Sequence, residues 1–240
     1  MARSRVGAGM GDFDLVIFDC DGVLVDSEKI SAAMLIAELG AMGITVDMPY
    51  VARHFLGRSY PVVMSQIRRD FGIDLPEGFE EAYRNRLLAA FSESLTAMPG
   101  VARVLSGLRL PWCVATSSSP RRVEASLRMT GLWDLARGRV FTASEVANGK
   151  PAPDLFLHAA ARMGASPTRS LVIEDSLTGI RAGRAAGMIV WRFTGGSHLG
   201  PVLDPEPEDA RPDLHFASFT GFFDLLPQAA PAPPAPRKDA

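Results

Sequence analysis

Residues 16–28 read VIFDCDGVLVDSE, and this stretch decides how the rest of the chain is interpreted. An apolar run ends on two aspartates, Asp19 and Asp21, and Gly22 follows directly. Such a run is typical of a buried strand in a parallel sheet. Open α/β sheets bind their ligands at the carboxyl ends of the strands. Because two adjacent carboxylates repel each other unless a cation or a shared proton intervenes, the stretch predicts a chemical site at this strand end.

Five further apolar runs predict the other strands of the sheet. They are PWCVAT (111–116), RVFTA (139–143), SLVIED (170–175), MIVWRF (188–193) and LHFAS (214–218). Helical patterns separate several of them, as in SPRRVEASLRMTG (119–131), PAPDLFLHAAARMG (151–164) and SLTGIRAGRAAG (176–187). Strands that alternate with helices favour an α/β fold with a doubly wound parallel sheet.

One long segment breaks this alternation. Residues 27–43, 59–72 and 77–95 carry apolar side chains at helical spacing, and no strand pattern lies between them. The sequence therefore predicts an all-helical insertion, the helical cap (residues 28–98), which could close over a substrate. The α/β core is expected to comprise residues 12–27 and 99–226. Residues 1–11 and the Pro/Ala-rich 227–240 are predicted to be disordered.

Composition limits the partners of the chain. The net charge of −2 provides no basic field for nucleic acid or an anionic membrane surface. No apolar run is long enough to span a bilayer, and the N-terminus lacks the apolar region of a secretory signal. Cys20 and Cys113 fall in or beside core strands and are interpreted as buried thiols in a reducing compartment. A cytoplasmic monomer that binds a small molecule is the resulting expectation.

Polar groups follow several of the predicted strands. Since parallel strands share a direction, their carboxyl ends meet at one edge of the sheet. Lys150 lies in NGKPAPD, before a helix that prolines open. The groups expected at this edge are Asp19, Asp21, Thr116, Ser117, Lys150, Glu174 and Asp175.

This set of groups suits one kind of chemistry. Carboxylate oxygens are ligands for Mg²⁺, which also takes waters and substrate phosphate oxygens. A lysine, hydroxyls and loop N–H groups suit the phosphate itself. The spacing therefore indicates metal-assisted phosphoryl transfer.

Four ordered motifs resemble those of the haloacid-dehalogenase-like (HAD) phosphohydrolases. They are DCDGVLVDSE, the strand that ends in Thr116, Lys150 in GKPAPD, and VIEDS. The resemblance covers roughly residues 14–200, and the helical cap is similar to that of β-phosphoglucomutase-like members. It implies a Rossmann-like core and phosphate monoester chemistry.

The resemblance also implies roles for the acidic residues. Asp19 would be the nucleophile that forms an aspartyl-phosphate. Asp21 would be the general acid for the leaving oxygen and then the base for water. Asp19, Asp175 and the backbone carbonyl of Asp21 would bind Mg²⁺, with Glu174 as a supporting group or a further ligand.

Further roles follow from the same resemblance. Thr116 and the Ser117 amide would hold the phosphoryl oxygens, and Lys150 would offset charge between phosphate and carboxylates. Arg58, in FLGRSY, falls in a loop of the helical cap that would read the substrate. Arg122, at the start of a predicted helix, is expected to face solvent, and the four histidines form no ligand-spaced set.

The expected activity is phosphatase action on a small phosphorylated metabolite, a sugar or sugar-acid phosphate. The motifs come closest to those of the 6-phosphogluconate phosphatase type. A phosphosugar mutase is the first alternative, but the β-phosphoglucomutases carry a histidine where this chain has Ser31, which favours hydrolysis. A non-catalytic phosphometabolite-binding module is the second alternative, against which the intact acid pair argues.

Overall fold

The computed structural model describes residues 12–55, 57–73, 75–199 and 205–231. Its centre is a six-stranded sheet in the order β3-β2-β1-β4-β5-β6, and every neighbouring pair is parallel. The strands are β1 (Leu15–Phe18), β2 (Trp112–Thr116), β3 (Val140–Thr142), β4 (Ser170–Glu174), β5 (Ile189–Phe193) and β6 (Leu214–Phe216). The predicted doubly wound α/β class is confirmed.

Helices cover both faces of this sheet. They are α5 (Val101–Gly107), α6 (Pro120–Met129), α7 (Trp133–Ala136), α8 (Asp154–Arg162), α9 (Leu177–Ala185) and α10 (Phe222–Leu225). Side chains of β1 alternate between two hydrophobic clusters, with Val16 and Phe18 in one and Leu15 and Ile17 in the other. Because successive strand residues point to opposite faces, a wholly apolar strand such as β1 anchors both helical layers at once.

The chain between residues 28 and 94, in the connection from β1 to β2, is mainly helical. It contains α1 (Glu28–Ala41), α2 (Met48–His54), α3 (Tyr60–Phe71) and α4 (Phe79–Ser94), and its described residues include no strand. Three of these helices match the predicted patterns. The short α2 was not predicted; Asp47 begins it by accepting a hydrogen bond from the Tyr50 amide.

The two connections of the helical cap lie side by side. The amide of Asp26 donates to the Thr96 carbonyl (2.9 Å), and the amide of Met98 donates to the Leu24 carbonyl (2.9 Å). The outgoing and returning chains therefore leave the core at one place, next to the aspartates that follow β1.

The C-terminal region corrects one sequence prediction. Disorder was expected from residue 227, but Pro227–Ala229 form a 3₁₀ helix and Ala229 is fully buried. The Ala229 carbonyl accepts a hydrogen bond from the Arg109 amide (3.1 Å). Composition misled because even a Pro/Ala-rich segment can bury a small apolar side chain, here Ala229 in the same cluster as Leu226. The rest of both predicted disordered segments, residues 1–11 and 232–240, lies outside the described residues.

Within the ranges that the structure describes, no helix is both long and apolar enough to cross a membrane.

Candidate active site

Lys150 joins two strand ends at the centre of the site. Its Nζ lies 2.7 Å from Asp19 Oδ1 and 2.8 Å from Glu174 Oε1, and it donates to the Ala115 carbonyl at 3.1 Å. All three charged side chains are buried. Burial by itself lowers the pKa of Lys150, but the carboxylates of Asp19 and Glu174 raise it by more, so the lysine stays charged.

Three carboxylates form one acidic cluster around this lysine. Asp19, Glu174 and Asp175 each offer an oxygen within 4.8 Å of the others. Burial, together with the neighbouring carboxylates, raises the pKa of Asp19 and of Asp175 well above its usual range. One ammonium does not neutralise three buried carboxylates, and a hard divalent cation with oxygen ligands fits this donor set.

Gly22 makes room for this cluster. Its φ of +77° is a conformation that glycine adopts without strain. A Cβ at this position would lie 2.1 Å from Asp175 Oδ2. The turn after the two aspartates therefore brings the backbone against the cluster.

Asp21 is held by three donors. Ser27 Oγ and Arg122 Nη2 donate to Oδ1 at 2.6 and 2.7 Å, and Ser118 Oγ donates to Oδ2 at 2.6 Å. Burial raises the pKa of Asp21, but the Arg122 guanidinium and the two hydroxyls outweigh it and lower the pKa. The prediction that Arg122 faces solvent was wrong, because the first turn of α6 directs this side chain over Phe91 and into the site.

The loop after β2 carries the predicted phosphate-binding groups. Thr116 ends β2, and its hydroxyl oxygen accepts a hydrogen bond from the Ser118 amide at 3.1 Å. Ser117 Oγ donates to the Gly57 carbonyl at 3.0 Å. This contact joins the loop to the helical cap, and Thr116 and Ser117 both line the cavity between them.

The carboxylate of Glu174 is fixed by the start of α9. The amide and the hydroxyl of Ser176 donate to Oε2 at 2.8 and 3.0 Å. The same hydroxyl accepts a hydrogen bond from the Gly179 amide and so caps the N-terminus of this helix. A Cβ on Gly179 would lie 1.6 Å from Glu174 Oε1, so only a glycine leaves room for the carboxylate.

Sequence reasoning missed His198. Its Nε2 lies 2.9 Å from Asp175 Oδ2, and both side chains are only 3% exposed. Burial lowers the pKa of His198, which favours the neutral imidazole. The sequence did place His198 just after β5, and therefore at the same sheet edge as the other groups. No ligand spacing among the histidines marked it.

A cavity of about 390 Å³ lies between the α/β core and the helical cap. Asp19, Asp21 and Thr116 line it from the core. Arg58 and Tyr60 line it from the helical cap. The Arg58 Nε and the Tyr60 hydroxyl are buried without a hydrogen-bond partner among the described residues. Apolar residues of the helical cap also line the cavity, among them Leu35, Val51, Phe55, Val63, Met64, Leu87 and Leu88.

Comparisons with known proteins agree with this geometry. The 6-phosphogluconate phosphatase of Escherichia coli (strain K12) is 28% identical over 198 residues, which cover 82% of this chain and 90% of that protein. A phosphorylated carbohydrates phosphatase of Thermotoga maritima is 31% identical over 213 residues, covering 82% and 95% of the two chains.

Structural similarity points the same way. A haloacid dehalogenase-like protein of unknown function, ATU0790 from Agrobacterium tumefaciens, superimposes with a TM-score of 0.75 at 33% identity. The match covers 90% of this chain and 98% of that protein. Residues 13–187, which include strands β1 to β4 and the helical cap, match the haloacid dehalogenase-like hydrolase family. The chain therefore belongs to the haloacid dehalogenase-like hydrolases, as its four motifs indicated.

Proposed function

We propose that this hydrolase is a Mg²⁺-dependent phosphatase that acts on a sugar or sugar-acid phosphate through an aspartyl-phosphate on Asp19. The observation that carries the proposal is the contact of Lys150 with both Asp19 and Glu174 inside the acidic cluster. A buried nucleophilic carboxylate, a cation-binding set and an ammonium in one place suit an anionic phosphate ester.

The first half of the reaction transfers the phosphoryl group to the enzyme. A carboxylate oxygen of Asp19 attacks phosphorus, the new O–P bond forms, and the ester O–P bond breaks. For this step Asp21 must first take up a proton from solvent, against the lowered pKa that Arg122 and the two hydroxyls give it. It then gives that proton to the departing oxygen, which leaves as an alcohol. Thr116, the Ser117 amide and Lys150 hold the phosphoryl oxygens throughout.

The second half returns the enzyme to its starting state. Asp21, now ionised, takes a proton from water, and the resulting hydroxide attacks phosphorus. The O–P bond to Asp19 breaks, and inorganic phosphate leaves. Asp19, Asp175, Glu174 and the Asp21 carbonyl would hold Mg²⁺, which when bound supplies positive charge to the phosphoryl oxygens.

The cavity and the relatives support the substrate class. Its volume suits a small metabolite. Arg58 offers a buried donor without a partner among the described residues, and such a donor favours an oxygen-rich leaving group. Two relatives are named for phosphorylated carbohydrates and 6-phosphogluconate.

Phosphate release from p-nitrophenyl phosphate and from a panel of sugar and sugar-acid phosphates, with and without Mg²⁺, tests the proposal. Asp19→Asn is expected to lose several orders of magnitude in kcat. Asp224→Asn, an exposed aspartate in α10, is the matched control and should retain wild-type rates. Release by Asp19→Asn at the wild-type rate would contradict the assignment of the nucleophile.

The mutase alternative is separated by the same assay. Ser31 occupies the position where the resembling mutases carry histidine, and its hydroxyl contacts Arg122 at 3.1 Å and the Ser27 carbonyl at 2.9 Å. Conversion of β-glucose 1-phosphate to glucose 6-phosphate without net phosphate release would establish a mutase. Free phosphate as the main product supports the phosphatase.

The same proposal includes the setting of the enzyme. We place it in the cytoplasm as a monomer, with residues 12–27 and 99–226, extended by the packed residues 227–229, as the catalytic domain and the helical cap as a second domain. Cys20 and Cys113 are free, buried thiols, as a reducing compartment allows. Size-exclusion chromatography with light scattering tests the monomer, since a dimer would double the mass of 25.8 kDa.

A further inference from the structure

Among the described donors to the Asp21 carboxylate, Arg122 comes from a helix of the core. Its Nη2 lies 2.7 Å from Asp21 Oδ1 and 3.1 Å from Ser31 Oγ. The guanidinium carbon lies 5.3 Å from the centre of the Phe91 ring. One nitrogen thus bridges the aspartate that follows β1 and helix α1 of the helical cap, while α4 supplies an aromatic face for the cation.

The contacts of Asp21 fix the direction of its carboxylate. Oδ1 accepts hydrogen bonds from Ser27 and Arg122, and Oδ2 accepts one from Ser118. These bonds hold the carboxylate against rotation. All three bonds to the ionised carboxylate are charge-assisted, but Ser27 and Ser118 are neutral hydroxyls, whereas Arg122 also brings a positive charge and forms an ion pair. Removing Arg122 would therefore release the carboxylate more than removing either serine.

We propose that Arg122 is a positioning residue that aligns the Asp21 carboxylate for proton transfer, and that Ser31 of the helical cap keeps Arg122 in that position. The inference rests on the proposed function, in which Asp21 protonates the leaving oxygen. Because Ser31 lies in α1, the bridge forms only while the helical cap is seated on the core. Alignment of the acid is thereby tied to closure over the substrate.

Arg122 also lines the cavity, so the competing explanation is direct contact with substrate. The two roles differ in their dependence on the leaving group. Proton transfer matters more when the departing oxygen is more basic, whereas a contact that only binds substrate is independent of that basicity. Phenyl phosphate and p-nitrophenyl phosphate share a ring but differ in this basicity, because p-nitrophenolate leaves readily without a proton.

The experiment compares kcat/KM for these two esters in the wild type, Arg122→Met, Arg122→Lys, Ser31→Ala and Asp21→Asn. Arg122→Met is expected to lose about tenfold more on phenyl phosphate than on p-nitrophenyl phosphate, in the same direction as Asp21→Asn. Arg122→Lys should recover part of the difference, because the ammonium can still donate to Asp21. Ser31→Ala should show a smaller loss in the same direction.

A matched control and a double variant complete the design. Arg121→Met removes the neighbouring arginine, which contacts Asn85 of the helical cap at 2.9 Å instead of Asp21. Its effect should be equal on the two esters. The double variant of Asp21→Asn with Arg122→Met should be no slower on phenyl phosphate than Asp21→Asn alone, since both changes remove one function.

Equal losses of Arg122→Met on both esters, or additive losses in the double variant, would overturn the inference. If Arg122→Met does not fold, the same comparison of kcat/KM on the two esters is made with Arg122→Lys and Ser31→Ala. Failure of the proposed function has a different signature. The wild type would then release no phosphate from either ester, or Asp21→Asn would leave the ratio of the two rates unchanged.

Discussion

At the scale of single residues, Asp175 has support on two sides. The imidazole Nε2 of His198 contacts the Asp175 carboxylate at 2.9 Å, and Arg192 Nε donates to the backbone carbonyl of Asp175 at 3.0 Å. A neutral imidazole orients a carboxylate without cancelling its charge. Partners of this kind, one step removed from a metal, fix the ligand and strengthen metal binding.

The first prediction concerns this support. His198→Ala is expected to weaken Mg²⁺ binding by about 10- to 100-fold, because Asp175 loses the group that holds Oδ2 in place. Titration calorimetry of the metal-free protein with MgCl₂ measures the change. His158→Ala, in α8 beside Glu145, is the control and should leave the affinity unaltered. An unchanged dissociation constant in His198→Ala would refute the prediction.

The second prediction concerns Glu28, a buried residue of the cavity wall. Burial, with the nearby carboxylates of Asp21 and Asp175, raises the pKa of Glu28 to about 8, although Arg122 and His198 oppose this. In the unfolded chain the same carboxyl has its ordinary pKa of about 4.3. The folded state therefore binds the proton more tightly, and stability falls as pH rises from about 4.3 through about 8.

Glu28→Gln should remove this pH-dependent loss. In metal-free protein, the variant is expected to gain on the order of a few kcal/mol relative to the wild type near pH 9, and the gain should vanish toward pH 4. Urea unfolding at a series of pH values measures it. Glu124→Gln, on the exposed face of α6, serves as the control. A constant difference across the pH range would show that Glu28 is ionised in the folded protein.

At the scale of elements, α9 illustrates how a helix start shapes the site. Gly179→Ala should displace the Glu174 carboxylate from Lys150, because the added Cβ falls on Oε1. We expect a loss of about 1–3 kcal/mol in stability, together with a large loss of phosphatase activity. Urea unfolding and kinetics measure the two effects.

Gly40→Ala is the matched control for this helix substitution. Gly40 lies in α1, where a Cβ meets nothing within 4 Å, so the change should stabilise the protein by about 0.5–1 kcal/mol. Wild-type stability and activity in Gly179→Ala would show that Glu174 does not depend on this glycine.

The elements that the sequence predicted share long, regular patterns. All six strands and the longer helices followed from apolar runs and helical spacing. Helices α2 and α5, with seven residues each, and α7 and α10, with four each, were missed because such short segments hold too few apolar positions to show a period. Strand ends placed Asp19, Glu174 and Asp175 together, since backbone direction alone decides that placement.

Strand direction could not predict that Arg122 and His198 contact the site. Whether a helix or loop side chain turns toward a site depends on what packs around it, here Phe91 for Arg122 and Asp175 for His198. A sequence pattern records spacing along one element, and these contacts cross between elements.

At the scale of the whole molecule, the C-terminal segment covers the hydrophobic cluster that holds Phe18. The ring of Phe222 lies 6.3 Å from that of Phe18 and 6.2 Å from that of Trp191. Residues from both ends of the described chain thus share one core, and the last helix completes the face of the sheet.

Phe222→Ala should therefore destabilise the entire fold. The expected loss is about 3–5 kcal/mol, the usual cost of removing a fully buried phenylalanine ring. Met129→Ala, at a position that is 42% exposed, should change stability by less than about 0.5 kcal/mol. Urea unfolding measures both, and a loss under about 1 kcal/mol in Phe222→Ala would mean that the C-terminal segment detaches without cost.

The side-by-side connections of the helical cap have a consequence for how such proteins diversify. Because Leu24 and Met98 are hydrogen-bonded neighbours, a short loop could replace everything between them without breaking a strand. Recombination could then exchange the whole helical cap and change which substrate is accepted. The carboxylates of the core would stay unchanged. The same α/β core could thus be combined with different caps, and so accept different substrates, by exchange at these two adjacent connections.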